Sequence, residues 1–237
     1  ARPGERTTYS DVGFMALGWI LEGAVGKPLD VALDKEIYAP LGLSDSLFFV
    51  RHRDPPRGRK MVKRTFVATE DCERRGKRLV GEVHDPKAWL LGGVAAHAGL
   101  FGTVDAVWTL SDTIRRCYAG ESDLIAPPVV KRFFKRTSRV AQSTRTLAWD
   151  TPSAQGSLAG GRASKQTVGH LGFTGTSVWI DLIRGATTVV LSNSAHPSPE
   201  NKKPRMQDFR RRVQDHMWRE AELILQANPG SRGSGAF

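Results

Sequence analysis

Apolar positions crowd residues 12–25 (VGFMALGWILEGAV), where Glu22 is the one charge in an otherwise apolar run. The pattern predicts a buried helix. Ser10 or Asp11 can start it, since either side-chain oxygen can accept from the free amides of a first turn, and Gly26 ends it. Pro28 opens a second helix to about Tyr38, at a position where the missing N–H costs nothing, and APLG at 39–42 stops it. LFFV at 47–50 reads as a short buried or edge strand, and RHRDPPRGRK at 51–60 as an exposed loop. Residues 60–69 and 79–83 read as extended, with a turn over 74–77. One or two helical turns over 86–91 lead into the glycine-rich GGVAAHAG at 92–99. Thr103 caps a helix over 104–118, with Arg115 and Arg116 near the end that favours cations and Gly120 closing it. Pro127 or Pro128 starts another helix, to about Arg136.

After a polar linker at 137–145 the pattern turns to strands. They are expected at 146–149 and 167–171, with a hairpin of 176–182 and 186–193 about Ile183-Arg184-Gly185. Residues 206–225 form an amphipathic helix with Phe209, Val213, Met217, Ile224 and Leu225 along one face, and 228–237 read as a disordered tail. Helices, then antiparallel strands, then a helix able to cover them predict the α+β class. The expectation is one domain over 1–227, helical over about 9–136, with sheet and last helix over about 145–226.

Composition narrows the function classes. With 40% hydrophobic residues the chain can build a substantial core, which excludes general disorder. No apolar run approaches the roughly 20 residues of a membrane helix. Lys and Arg exceed Asp and Glu by 11, but the excess is scattered and no aromatic-interleaved basic motif appears, so no specific nucleic-acid partner is expected. Cys72 and Cys117 fit no metal or redox spacing and read as plain thiols. Glu82, His84, Asp85 and His97 are metal-capable, yet neighbours on an extended chain face opposite ways; no metal and no cofactor are expected. Ala1-Arg2-Pro3-Gly4 is not a basic-then-apolar leader; it reads as the cut edge of a longer protein, and the compartment is not readable from it.

Two short segments carry candidate chemistry: Tyr9-Ser10-Asp11 and His170-Leu171-Gly172-Phe173-Thr174-Gly175-Thr176. Acyl transfer needs a nucleophile, a base and donors for the oxyanion. Tyr9 serves as base or relay if a nearby cation lowers its pKa; alternatively it is a hydrophobic staple with Ser10 as the cap. On an extended strand His170 and Gly172 face the same side. Gly172 would give a substrate clearance, and the Phe173 amide would face an acyl oxygen; alternatively the glycine marks a bulge. A nucleophile is missing: no Ser or Thr has Lys three positions later.

Serine β-lactamases and penicillin-binding proteins carry S-x-x-K, S-D-N and K-T-G motifs. This chain resembles the branch of that family with Y-x-N and H-x-G in the last two places, which includes class C-like β-lactamases, esterases, D-amino-acid peptidases and cell-wall amidase-like hydrolases. GKPLDVALDKEIYAPLGLSDSLF, GEVHDPKAWLLGGVAAHAGLFGTVDAVWTL and GHLGFTGTSVWIDLIRGATTVVLSNSAHP extend the resemblance over nearly the whole chain. GEVHD and HAGLFGT resemble a subgroup found with peptidoglycan-recycling glycosidases. The resemblance implies a β-lactamase/transpeptidase-like fold, an antiparallel sheet flanked by helices beside a helical region, with the active site at their seam. It implies Tyr9 as general base or relay, His170 as a pocket residue tuning the tyrosine, and the Phe173 N–H as one oxyanion donor. Ser10, Asp11, His97, Gly172 and Thr174 would contact substrate, a small molecule or peptidoglycan-derived. Two departures stand out. Asp11 replaces the family's frequent Asn, adding negative charge. His170 replaces the Lys of β-lactam binders, removing a fixed cation at neutral pH. The expectation is a serine hydrolase of ester, amide or peptide bonds, acting through an acyl-enzyme and inactive without its nucleophile. The alternatives are a cleft-retaining pseudoenzyme and a basic nucleic-acid binder.

Overall fold

The computed structural model describes residues 2, 4–53, 64–138, 140, 143–200 and 203–228. The expected loop over 51–60 lies largely outside these residues, as does the expected tail beyond 228. No helix among the described residues is long and apolar enough to cross a membrane. The chain divides into two compact units: Thr8–Val107 with Asn193–Pro199, and Ala1–Thr7 with Trp108–Ser192 and Glu200–Phe237. Each is described by itself.

The unit that contains Tyr9 begins with helix α1 (Asp11–Val25), closed by Gly26 in the left-handed conformation with its N–H on the Glu22 carbonyl. Helix α2 (Leu29–Leu33) widens into a π turn over Asp34–Tyr38 and tightens to 3-10 over Ala39–Leu41. Strand β1 (Leu47–Phe49), the two-residue strands β2 (Asp71–Cys72) and β3 (Lys77–Arg78), helix α3 (Pro86–Leu90) and strand β4 (Leu100–Gly102) complete it. β1 pairs antiparallel with β4, placing Phe48 opposite Phe101. Their rings stack at 6.2 Å and Phe66 stands edge-on to both, a cross-strand aromatic cluster of the kind that stabilises short ladders. The extended pieces expected at 60–69 and 79–83 form no strand over their described residues; the ladder is Asp71–Cys72 with Lys77–Arg78, around the 3-10 turn Glu73–Arg75.

Helix α1 is not the buried helix its apolar run predicts. Gly18 alone is buried, while Val12, Leu17, Trp19, Ile20, Leu21 and Val25 are 45–64% exposed. The helix is held by its polar residues and its glycine. Asp11 bonds Lys87, Glu22 accepts the Leu29 N–H at 2.8 Å, and a Cβ at Gly18 would lie 3.1 Å from that of Ala96. Hydrophobic count alone could not orient it.

In the other unit, helix α4 (Val104–Ala119), whose first turn belongs to the unit just described, and helix α5 (Pro127–Phe134) precede a three-stranded antiparallel sheet. Its strands are β5 (Thr167–Leu171), β6 (Ser177–Asp181) and β7 (Ala186–Val190), in that spatial order, and the hairpin about Gly185 is the one expected. Alternate residues serve opposite faces. Val168 and Ile180 pack with Cys117, Val130 and Phe134 of the two preceding helices. Trp179 packs with Ala159 and with Trp218 of the last helix, α6 (Lys203–Ala227). The expected α6 face is corrected: Phe209 and Ile224 are exposed, and Gln214 and Trp218 are fully buried. Gln214 is buried because it is satisfied there: its amide oxygen accepts from Thr188 Oγ1 at 2.8 Å and its Nε2 donates to Ser177 Oγ at 3.3 Å. Paired polar groups bury at little cost, so the sheet selects a face that apolar periodicity does not reveal. The expected strand over 146–149 is instead a tight turn.

Candidate active site

Tyr9 lies just before α1 and is 64% exposed. Ser10 occupies the N-cap position in an extended conformation, but its side chain makes no capping bond, which corrects the expected Ser cap. Asp11 accepts from Lys87 Nζ at 2.6 Å, across 76 positions of sequence. That carboxylate, with smaller contributions from Asp85 and Tyr9, holds the Lys87 ammonium above the usual lysine range. The negative charge that Asp11 introduces is thus paired with a cation that the sequence pattern did not single out.

The His97 side chain is 3% exposed and its Nε2 lies 2.9 Å from Asp85 Oδ1. The same carboxylate caps α3 through the Ala88 N–H at 2.8 Å. Burial works to raise the Asp85 pKa; the Ala88 N–H and His97 outweigh it and hold the carboxyl below its ordinary range. His97 therefore fastens the glycine-rich loop to the start of a helix. Gly93 is needed there: its φ is +98° and a Cβ would fall 2.1 Å from the Val50 carbonyl oxygen. The four metal-capable residues have other partners: Glu82 pairs with Arg75 and Lys77, His84 lies 2.9 Å from Glu70, and Asp85 serves His97.

The second motif lies in the sheet unit. His170 sits on β5 opposite Val178. Gly172 lies just beyond the strand, in the turn to β6. A Cβ at 172 would lie 2.0 Å from Thr176 Oγ1, so any side chain there would displace that hydroxyl, and the turn itself favours glycine. The turn closes by Gly172 N–H to the Thr176 carbonyl at 2.8 Å, and Arg210 of α6 donates one nitrogen to the carbonyls of both Gly172 and Thr176. Phe173, at the tip, is 70% exposed, and Thr174 beside it is half-buried.

Two contacts of the His170 ring bear on its protonation. Its Nδ1 lies 2.9 Å from the Leu171 carbonyl oxygen and its Nε2 3.3 Å from Arg145 Nη1. Burial, and then the Arg145 guanidinium, push its pKa below the ordinary histidine value, against the Leu171 carbonyl and Asp150. Arg145 begins the tight turn noted above. Thr146 N–H donates to the Trp149 carbonyl, Asp150 exchanges both backbone bonds with Gly169 of β5 at 2.8 and 2.9 Å, and the Trp149 ring meets Phe134 edge-on at 5.4 Å. Ala148 is left at φ +69°, a conformation costing an L-residue about 1 kcal/mol or more. Ala148→Gly is expected to stabilise the chain by about 1 kcal/mol, read as a raised urea midpoint at unchanged slope; an unchanged or lowered midpoint would contradict it.

A family model described as Beta-lactamase matches residues 1–211. The chain belongs to the beta-lactamase family. A protein of Escherichia coli K12 provisionally named D-alanyl-D-alanine carboxypeptidase is 34% identical over 222 residues, covering 86% of this chain and 49% of its own length. A protein of the same name from Salmonella newport is 34% identical over 219 residues, covering 85% and 48%. The chain thus spans about half the length of these curated relatives. Among solved structures, a beta-lactamase from Mycobacterium bovis superposes with TM-score 0.61 at 18% identity, over 93% of this chain and 66% of its own. A simvastatin synthase variant from Aspergillus terreus gives 0.63 at 18%, over 93% and 56%. A penicillin-binding protein from Bacillus halodurans gives 0.54 at 14%, over 81% and 53%. At these identities the likeness is one of fold, and it bears out the α+β, β-lactamase/transpeptidase-like architecture. Membership in this serine hydrolase family is what Tyr9-Ser10-Asp11 and His170-Leu171-Gly172, with their resemblance to the Y-x-N and H-x-G motifs, led one to expect.

For a beta-lactamase-family chain the two motifs fall in different units: Tyr9, Ser10, Asp11 and His97 in one, His170, Gly172, Phe173 and Thr174 in the other. Sequence reasoning missed Lys87, Arg145 and Arg210. The signal for Arg145 would have been a guanidinium beside a predicted strand end; nothing in the local pattern marked the other two.

Proposed function

We propose that this chain carries the tyrosine and histidine-glycine portions of a serine hydrolase that cleaves an ester, amide or peptide bond through an acyl-enzyme, on a small peptidoglycan-derived substrate ending in D-alanine. The observation that carries the reading is the match to relatives named D-alanyl-D-alanine carboxypeptidases along 86% of the chain, joined to the presence of Tyr9 and of the His170-to-Thr176 turn. In this reading Tyr9 is the base or proton relay, and the Phe173 N–H is one oxyanion donor. Ser10, Asp11 and Thr174 line the substrate's path. His97 acts through Asp85 to hold the glycine-rich loop. The acyl-forming serine has no counterpart, because no Ser or Thr is followed three positions later by Lys. Loss of such a nucleophile lowers turnover by about a millionfold in a serine hydrolase even with the other groups in place.

Incubating the polypeptide with p-nitrophenyl acetate and, separately, with a fluorophosphonate probe checks this. Background ester cleavage and an unchanged intact mass are expected. Turnover together with a stoichiometric adduct would place a nucleophile in the chain and overturn the assignment. Retention of a D-alanyl-D-alanine affinity resin without turnover is the result that the pseudoenzyme alternative requires.

A further inference from the structure

We infer that Arg145 is a positioning residue of this site, on the reading that residues 170–176 line it: Arg145 locks His170 as a neutral imidazole with its proton on Nδ1, so that the cation at this strand end is a guanidinium and not an imidazolium. Two contacts set the tautomer together. A guanidinium has only donors, so Nε2, 3.3 Å from Arg145 Nη1, must present a lone pair. A carbonyl oxygen only accepts, so Nδ1, 2.9 Å from the Leu171 oxygen, must carry the proton. Protonating the ring would set an Nε2–H against an N–H of the guanidinium, breaking that bond in a half-buried place.

The clamp is built into the fold. Arg145 faces Asp150 across a backbone bridge, their side chains 3.5 Å apart, and Asp150 is bonded on both sides to Gly169, next to His170. Among the described residues, the charged groups that act on the imidazole include Arg145 and Asp150, at the two ends of the tight turn. His170 then has no proton to give from Nε2 and cannot act as a general acid through that atom. The expected loss of a cation where β-lactam binders have lysine is made good by a residue 25 positions upstream.

The test follows the imidazole itself and needs no turnover. Nitrogen-15 imidazole spectra of the full chain are recorded across about pH 4 to 9, with His170 assigned among the six histidines by His170→Gln. The wild type is expected to show the Nδ1–H tautomer and a midpoint below that of an exposed histidine. Arg145→Met should raise the midpoint and populate the Nε2–H tautomer, and Arg145→Lys should restore the wild-type behaviour at least in part. Asp150→Asn, which removes the charge favouring the imidazolium, should move the midpoint further down; it carries the test if Arg145→Met fails to fold. An unchanged tautomer and midpoint in Arg145→Met, or an upward shift in Asp150→Asn, overturns the inference. Adding N-acetyl-D-alanyl-D-alanine to the wild type separates the two readings. Perturbed His170 signals support both; undisturbed signals, with the variants behaving as stated, sink the hydrolase reading of this segment and leave the Arg145–His170 lock standing.

Discussion

Asp181→Ala is expected to destabilise the sheet unit by about 3–5 kcal/mol at neutral pH, the range for breaking a buried ion pair, because five hydrogen bonds to one buried carboxylate are lost together. Asp181 ends β6 and is fully buried. Its Oδ1 accepts from Ser164 Oγ at 2.8 Å and from the N–H groups of Ile183 and Arg184 at 3.0 Å each. Its Oδ2 accepts from Ser164 N–H at 3.0 Å and Arg184 Nη1 at 2.5 Å. One carboxylate thus closes the β6–β7 turn, anchors the loop before β5 and fixes Arg184, which also reaches Glu222 of α6. Burial works to raise its pKa, but the Arg184 N–H, Ser164 and the Arg184 guanidinium outweigh it and hold the carboxyl below its ordinary range. A depressed folded pKa means stability that is present above the unfolded value, about 3.9, and lost as the pH falls through the folded one. Urea unfolding should therefore show a wide gap between wild type and variant at pH 7 that narrows below about pH 4. Asp181→Asn, keeping shape and some acceptor capacity, should lose less than alanine. A gap that is small at pH 7, or that widens in acid, would refute the account.

Trp218→Ala should cost about 3–5 kcal/mol, the usual range for removing a buried aromatic ring. The indole fills the space between Trp179 and Ala159, and its Nε1 donates to the Ala159 carbonyl at 2.7 Å. The two contributions separate by substitution. Trp218→Phe retains most of the ring and leaves the Ala159 oxygen without its donor, for a loss of about 1–2 kcal/mol. Near-equal urea midpoints for the phenylalanine and alanine variants would mean that the hydrogen bond, and not ring packing, dominates.

How far the chain could be read in advance depended on the range of the interaction that decides each element. Thr103 does cap α4, accepting the Ala106 N–H at 3.3 Å, and Gly26, Gly42 and Gly120 stand in the left-handed conformation where helices end, because a cap involves residues a few positions apart. The β6–β7 hairpin was legible for the same reason. The side on which α1 and α6 pack was not, since Gly18 is chosen by Ala96 and Gln214 by Ser177 and Thr188. Of the candidate site, the motif residues were legible as residue types. Their settings were not: Asp11 neutralised by Lys87, His97 spent on Asp85, His170 held by Arg145.

The sequence by itself determined the α+β class, most helix ends, the late hairpin, the family pattern of Tyr9-Ser10-Asp11 with His170-Leu171-Gly172, and the lack of a serine with lysine three residues on. Local steric preference and residue chemistry suffice for these. Only the tertiary structure decided which faces are buried and which charges the candidate residues meet, because burial and electrostatics act through space between groups 12 to 78 positions apart, a separation over which no local pattern in the chain carries information.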